Sequence, residues 1–404
     1  MSQELDQAVR AAAGRVTAAL AARFRDLDLA EDAFSEACMK AARAWPQAGR
    51  PSDPGAWLYR VAFRHALDEI RRRGVRMRLS PDPPEPPPNA EDRLTDEDQI
   101  IPDERLRLIF VCCHPAIAPE SRAALTLRLV CGLPANDIAD AFLTPPATLL
   151  QRLTRAKRKI AQAGVAFEVP GPGGWSERLE AVLTTLEIAY AKAHADAAGA
   201  GPYAGFAAEV LQLTAALAEM LPREGEVLGL AALVRYAEAR RPARTDQDGL
   251  MIPLAAQNPA LWSRRLIQEG DSFLHRASNL GAYGPRALNA AIHGVWCARR
   301  SLADPVPWPQ VLALYDAMLA TRDDVIVRLN RAVALAEVEG PAVGLAEVDR
   351  LEEARLEDFQ PWHAVKADLL RRLGRVEESR SAYDRAIALA PGPAERGWLA
   401  ARRP

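Results

Sequence analysis

No long apolar run interrupts this chain of 404 residues. Nothing in it approaches the roughly 18–20 uncharged residues that a bilayer-spanning helix needs, so a membrane protein is not expected. The opening MSQELDQAVR carries early acids and no apolar signal core, which argues against export. Cysteine is scarce: Cys38, Cys112, Cys113, Cys131 and Cys297 are odd in number and form no C-x-x-C pair. Neither a disulfide framework nor a zinc cage is indicated, and the thiols read as small apolar groups in a reducing cytoplasm. Cys112, Cys113 and His114 adjoin, but neighbours on a helix point in different directions and do not converge on one metal. The six histidines, His65, His114, His194, His275, His293 and His363, are accompanied by no metal-ligand pair, nucleophile elbow, P-loop or Rossmann glycine pattern. No catalysis, metal or cofactor is therefore expected. Net charge is lacking too: 51 basic against 53 acidic residues leave −2, so the whole molecule is no generic polyanion binder.

Alternating strand patterns are also missing. Ala-, Leu-, Arg- and Glu-rich segments with spacings of three and four dominate, which predicts an all-α fold. The length calls for about two to four compact units. The clearest boundary is residues 80–102, SPDPPEPPPNAEDRLTDEDQIIP, whose prolines forbid helix and whose acids repel one another, as in a flexible acidic linker. A second boundary falls at PGPGG, residues 170–174. The expected pieces are residues 1–79, 103–167 and 175–404.

In the first piece, LDLAEDAFSEACMKAARAW sets Ala30, Ala33, Phe34, Ala37, Met39, Ala41 and Ala44 against a polar side. A turn containing Pro46, Gly49, Pro51, Pro54 and Gly55 is expected next, then a helix over about residues 53–73 with a core stripe of Trp57, Leu58, Val61, Ala62, Ala66, Leu67 and Ile70. Arg60, Arg64, His65, Arg71, Arg72, Arg73, Arg76 and Arg78 make its C-terminal half basic, with only Asp68 and Glu69 opposing them. Such a cluster beside an aromatic residue suits phosphate contact and stacking on an unpaired base. A solvated helix end whose arginines favour the helix dipole would carry the same pattern.

The second piece predicts four helices: DERLRLIFVCCH, PESRAALTLRLVCG, a short one over residues 135–142, and a last one over about residues 146–162. In the last, Leu149, Leu153, Ala156 and Ile160 recur at spacings of four, three and four, while Thr148, Gln151, Arg152, Arg155 and Lys159 fall opposite. Thr144 is a candidate cap, with Pro145 at the first helical position. A short helix, a tight turn over residues 143–145 and a helix with a cationic outer face is the layout of a helix-turn-helix that reads the major groove. Early positions would meet base edges, and later cations would meet phosphates.

These two units in this order resemble regions 2 and 4 of the extracytoplasmic-function sigma factors, members of the sigma-70 family of RNA polymerase. The resemblance covers about residues 5–162. Its strings are LDLAEDAFSEA, PGAWLYRVAFRHALDEIRRR, and the run from DERLRLIFVCCHP to LLQRLTRAKRKI. It implies promoter DNA and the core polymerase, through its beta-prime and beta subunits, as partners. It further implies that Asp32, Phe34 and Glu36 face the polymerase and that the turn over residues 46–54 receives a flipped base of the −10 element. Trp57, Arg60, Arg64, Asp68 and Arg71 would serve that element, and Thr148, Gln151, Arg152, Arg155 and Lys159 the −35 element. The family often has Gln where Ser35 stands and Arg-Asn where Phe63-Arg64 stands.

In the remainder, Ala367, Leu370, Gly374, Ser379, Tyr383, Ala386 and Pro391 have the spacing of one tetratricopeptide unit. Ala332, Leu335 and Tyr315 echo them one and two periods earlier. This narrows the resemblance to the factors with tetratricopeptide-like extensions, often numbered group 42. Stacked helix pairs offer a concave surface, so a protein partner and control of the DNA-binding half in cis are expected of the extension. Six of the eight tryptophans, Trp175, Trp262, Trp296, Trp308, Trp362 and Trp398, lie there and read as core anchors. Asp246, Asp248 and Gly249 faintly suggest a calcium loop, but Gln257 stands where the bidentate Glu is required. The alternative is a helix-turn-helix regulator, or a repeat scaffold, that never touches polymerase.

Overall fold

Alanine and leucine at helical spacing fold as helices throughout, as expected of an all-α chain. The computed structural model describes residues 3–78, 104–142, 144–167, 175–195, 206–281, 283–321, 323–351, 356–390 and 392–404. The acidic linker at residues 80–102, the PGPGG boundary, Leu143 and Pro391 lie outside the described residues. The one extended feature described is an isolated antiparallel bridge between Thr245 and Met251. None of the described helices is long and apolar enough to cross a membrane. The chain divides into two compact units: Met1–Lys192 with Ala208–Leu213, and Ala193–Ala207 with Thr214–Pro404.

The first unit opens with three packed helices, α1 (Gln3–Phe24), α2 (Leu27–Ala48) and α3 (Pro54–Arg78). Arg25, at φ 54°, turns the chain between α1 and α2. Asp26 then caps α2 by accepting from the Leu29 amide at 3.0 Å. Small residues let the helices close on one another: Ala18, Ala30, Ala33, Ala37, Ala41, Ala62 and Ala66 are wholly buried alongside Val16, Leu20 and Leu58. The turn into α3 is shorter than the sequence suggests. Pro46 sits inside α2, and the helix ends only where Gly49, at φ 82°, donates to the Trp45 carbonyl at 3.0 Å. A proline in the last turn removes a single ladder bond, a loss that the buried Trp45 beside it offsets.

Four helices follow: α4 (Arg105–Cys112), α5 (Pro119–Leu129), α6 (Ala135–Ala141) and α7 (Pro146–Gln162). The chain continues into α8 (Trp175–Ala195) and α9 (Phe206–Met220). Within the first unit, Arg105, only 3% exposed, is held by the carboxylate of Glu209 and by Gln212 at 3.1 Å. Cys113 meets Thr185 at 3.5 Å.

In the second unit α10 (Gly225–Ala239) is buried on nearly every side. It packs against α11 (Arg264–Ser278) and α12 (Pro285–Cys297). Gly229 permits the closest approach, since a Cβ there would stand 2.6 Å from the Ala287 amide nitrogen. The segment between α10 and α11 is irregular, and Asp246 spends its carboxylate on the amides of Asp248 and Leu250, at 3.0 and 2.8 Å.

Next come α13 (Trp308–Thr321), α14 (Val325–Glu339), α15 (Pro341–Asp349), α16 (Gln360–Arg372), α17 (Val376–Leu389) and α18 (Pro393–Arg402). Leu370 packs in a cluster with Leu329, Trp362 and Leu369, whereas Ala367, Tyr383 and Ala386 meet with buried Ser379 in the seam between α16 and α17. There the Ser379 hydroxyl donates to the Ala367 carbonyl at 2.9 Å. Trp262, Trp296 and Trp362 are core, whereas Trp308 and Trp398 are half-buried.

Candidate nucleic-acid interface

Two cationic helix faces dominate the first unit. On α7 the four-three-four spacing holds: Leu149, Leu153, Ala156 and Ile160 are all at most 5% exposed and anchor the helix. The opposite side carries Gln151, Arg155 and Lys159 in the open, with Thr148 and Arg152 half-buried at its margin. Arg155 donates to the Gln151 side chain, one turn away, at 3.4 Å. The helix begins at Pro146, and Thr144 does not cap it. Its hydroxyl donates instead to the Phe142 carbonyl at 3.1 Å, because Pro145 occupies the capping position in extended backbone.

One cation leaves this face. Lys157 turns the other way, to the carboxylates of Asp28 and of Glu31, the latter at 2.9 Å. Burial works to lower its pKa, but the bonds to Asp28 and Glu31 prevail and hold it above the usual lysine value.

The second face lies along α3. Asp53 starts that helix, accepting from the Ala56 amide at 2.9 Å. Arg60, Arg64, Asp68 and Arg71 are exposed at spacings that keep them on one side. Arg71 stands 3.8 Å from Asp68, and Arg72 and Arg73 each reach Glu69 at 3.3 Å. Arg60 and Arg64 form no ion pair among the described residues. Trp57 is half-buried, its ring edge-on to buried Trp45 at 5.5 Å. The stripe that fixes α3 includes two residues that sequence reasoning passed over. Tyr59 and Phe63, both 8% exposed, pack on each other with ring centroids 5.9 Å apart, and Phe63 lies 5.3 Å from the Phe24 ring of α1. Each is followed by an arginine, which hides them in a linear reading. The aromatic-then-aromatic spacing of four was the available signal.

Along α2, Asp32 is exposed while Phe34 and Glu36 are half-buried, and Glu36 pairs with Lys40 at 3.8 Å. The two sets thus occupy separate helices, α3 and α7, of one unit. Chemically these faces can neutralise phosphates, read base edges and offer a ring for stacking. Among the described residues no group of three or more His, Cys, Asp or Glu side chains could hold a metal ion. The cysteines are free, and burial pushes the Cys112, Cys113 and Cys131 thiols up.

Comparison with known proteins matches residues 8–76, which span α1 to α3, to the sigma-70 region 2 family. Residues 178–278 match a family of unknown function (DUF6596). An uncharacterized protein of Rhizobium meliloti is 37% identical over 401 residues, 98% of this chain and 94% of that one. The RNA polymerase sigma-H factor of Pseudomonas aeruginosa is 35% identical over 149 residues, 34% of this chain and 74% of that factor. The ECF RNA polymerase sigma factor SigG of Mycobacterium tuberculosis is 27% identical over 250 residues, 56% of this chain and 64% of its own length. No solved structure matches the chain.

Proposed function

The chain belongs to the extracytoplasmic-function sigma factors of RNA polymerase, and from that premise we propose that its first compact unit binds the core polymerase and directs initiation at specific promoters. The work is done in the cytoplasm, where polymerase meets DNA. On α2, Asp32, Phe34 and Glu36 engage the beta-prime and beta subunits. Around the turn into α3, Trp57 supports an unpaired base of the −10 element while Arg60, Arg64 and Arg71 neutralise the strand beside it, and Asp68 limits how many phosphates that face takes. On α7, Thr148, Gln151, Arg152 and Arg155 face −35 base edges, and Lys159 a phosphate.

The strongest support is the outer side of α7. It presents exposed cations over a fully anchored apolar seam, and its one buried-facing lysine is accounted for by acids elsewhere. A helix serving only as a lid on its own domain has no need of that surface. Run-off transcription with core enzyme, on the DNA upstream of the protein's own gene, tests the reading. Promoter-dependent transcripts and co-purification with the core are expected. Tight binding to duplex DNA without polymerase, and no transcripts, would turn the assignment to a free-standing helix-turn-helix regulator.

For the extension we infer control in cis. The grip of Glu209 and Gln212 on Arg105 of α4 supports this, because residues beyond the DNA-reading helices complete the core on which α7 rests. A groove of about 490 Å³ in the second unit, lined by Trp296, Trp308, Tyr315 and Trp398, suits an apolar segment of a protein partner.

A further inference from the structure

The groove of the second unit is aromatic at one end and charged at the other. Trp296 and Trp308 set the aromatic end, their rings edge-on at 5.0 Å. At the end formed by α16 and α18, Asp368 is taken by Arg371 at 2.7 Å. Arg372 and Arg402 stand only 3.9 and 3.8 Å from the same carboxylate. Glu337 of α14 compensates Arg372, at 2.6 Å. Arg402 has no such second acid. Its guanidinium lies 4.8 Å over the Trp398 ring, its side chain is 40% exposed, and it makes no hydrogen bond among the described residues. Two carboxylates thus face three guanidiniums. A guanidinium stacked on an indole and short of an acceptor is preorganised to take one more carboxylate through two parallel N–H donors.

The chain itself shows the form in which the groove holds backbone. Residues 250–255, in the irregular segment between α10 and α11, run along one side of it. The Met251 amide donates to the Ala394 carbonyl, in the first turn of α18, at 3.3 Å. Leu250 covers Gly397, where a Cβ would stand 2.5 Å from the leucine Cδ2. Pro253 is extended, at φ −56° and ψ 146°, and lines the groove with Leu254 and Ala255. Those last two pack toward Trp296 and Val311. Arg299, 4% exposed, fixes the strand by donating to the Ala255 carbonyl at 3.0 Å. Extended chain with apolar side chains on the aromatic floor is therefore already seated there. About 490 Å³ remains beside it, within the range of about 300–1,000 Å³ usual for ligand sites.

We propose that this groove receives an extended apolar segment of a partner protein, one acidic side chain of which pairs with Arg402 on its Trp398 platform. The proposal rests on the reading of the groove as a partner's seat and adds the charge that selects the partner. Length agrees with it. Buried side chains join α14 to α16 and α16 to α18. At about 8–10 Å per packed pair these helices span about 16–20 Å, which five or six extended residues cross at about 3.3 Å each. Apolar residues of the segment fill the space before Trp296 and Trp308, and the acid ends on Arg402. A basic segment is rejected, because its cation would meet the surplus guanidinium.

The test is selection of random short peptides, displayed on phage, against the immobilised full-length protein, its Arg402→Gln and Arg402→Glu variants, and Val333→Trp, which fills the groove. The unmodified chain should enrich apolar peptides that carry Asp or Glu. Synthetic copies, titrated by fluorescence anisotropy, should bind Arg402→Gln about 10- to 100-fold more weakly, as expected for one lost hydrogen-bonded charge pair. They should not bind Val333→Trp, and Arg402→Glu should enrich peptides bearing Lys or Arg instead. Apolar peptides that Val333→Trp excludes, but that lack acids or bind Arg402→Gln undiminished, overturn the role of Arg402 and leave the groove as a partner's seat. No enrichment, or peptides that Val333→Trp binds equally, rejects both. Helical circular dichroism checks the fold of each variant. Should Arg402→Glu or Val333→Trp fail to fold, the comparison with Arg402→Gln, whose altered side chain is partly exposed on the last helix, decides alone.

Discussion

Replacing Trp57 with alanine should cripple promoter melting more than it harms the fold. Trp57 is half-buried, with its ring held edge-on to Trp45 at 5.5 Å, at the start of the helix that carries Arg60 and Arg64. Losing that aromatic pair costs the protein about 0.5–1.5 kcal/mol beyond the burial that the half-exposed ring gives up. Losing one base–aromatic stack in the open complex costs about 1–3 kcal/mol. At 1.36 kcal/mol per factor of ten, the open complex formed by Trp57→Ala holoenzyme should be about 5- to 150-fold less populated. Trp57→Phe keeps a ring and should recover much of the loss. Permanganate reactivity of unpaired thymines reports the open complex, and a thermal melt of the free protein reports the fold. Wild-type permanganate reactivity in Trp57→Ala, at matched holoenzyme concentration, would refute the assignment of this ring to the unpaired strand.

Alanine at Arg152 or Arg155 should weaken −35 recognition by about 1–3 kcal/mol if the side chain is bidentate to a guanine, seen as relaxed base preference in competition binding by holoenzyme. In the second unit, Ser379→Ala should cost about 1 kcal/mol through the lost bond to Ala367, and Ser379→Leu about 1–3 kcal/mol more through overpacking, both read from urea unfolding. The same unit should lose stability in mild acid. Burial first, then the Arg244, Arg241 and Arg240 charges, lowers the His194 pKa to about 3, and His293 is likewise held well below its ordinary value. Both imidazoles are neutral when folded, whereas the unfolded chain takes up protons below about pH 6.5. The stabilisation is thus complete above that pH and drains away as pH falls, by about 2–3 kcal/mol at pH 4.5 for His194 alone. The melting temperature of His194→Gln should vary less between pH 7 and pH 4.5 than that of the unmodified chain.

Most helices were legible because their signals are local. The four-three-four apolar spacing fixed the register of α7 to the residue, and the alanine-rich face of α2 marked a closely packed bundle. Pro46 misled because a proline near a helix end breaks only one bond, so the helix runs past it while its neighbour Trp45 remains in the core. Thr144 misled because two consecutive prolines already hold the backbone entering α7 in its extended form. Phe63 looked like a family departure on a charged helix. It is buried by Phe24, on a helix from which a local reading of α3 receives no signal. Lys157 is the sharpest case. Its neighbours Arg155, Arg158 and Lys159 place it in a cationic run, yet its partner Glu31 lies 126 residues away in sequence. Only a tertiary contact separates a lysine that binds DNA from one that binds protein.

Arg105 sets a practical limit on how the molecule can be divided. A chain stopped at Gln162 keeps every helix proposed to read DNA, yet it strips a guanidinium that is 3% exposed of the carboxylate of Glu209 and the amide of Gln212. Removing one partner from such a buried pair costs about 3–5 kcal/mol, comparable with the whole stability of a small helical module. A silent truncation of that kind would therefore report a collapsed α4, and a deletion meant to expose regulation must carry Arg105→Met or end beyond Leu213.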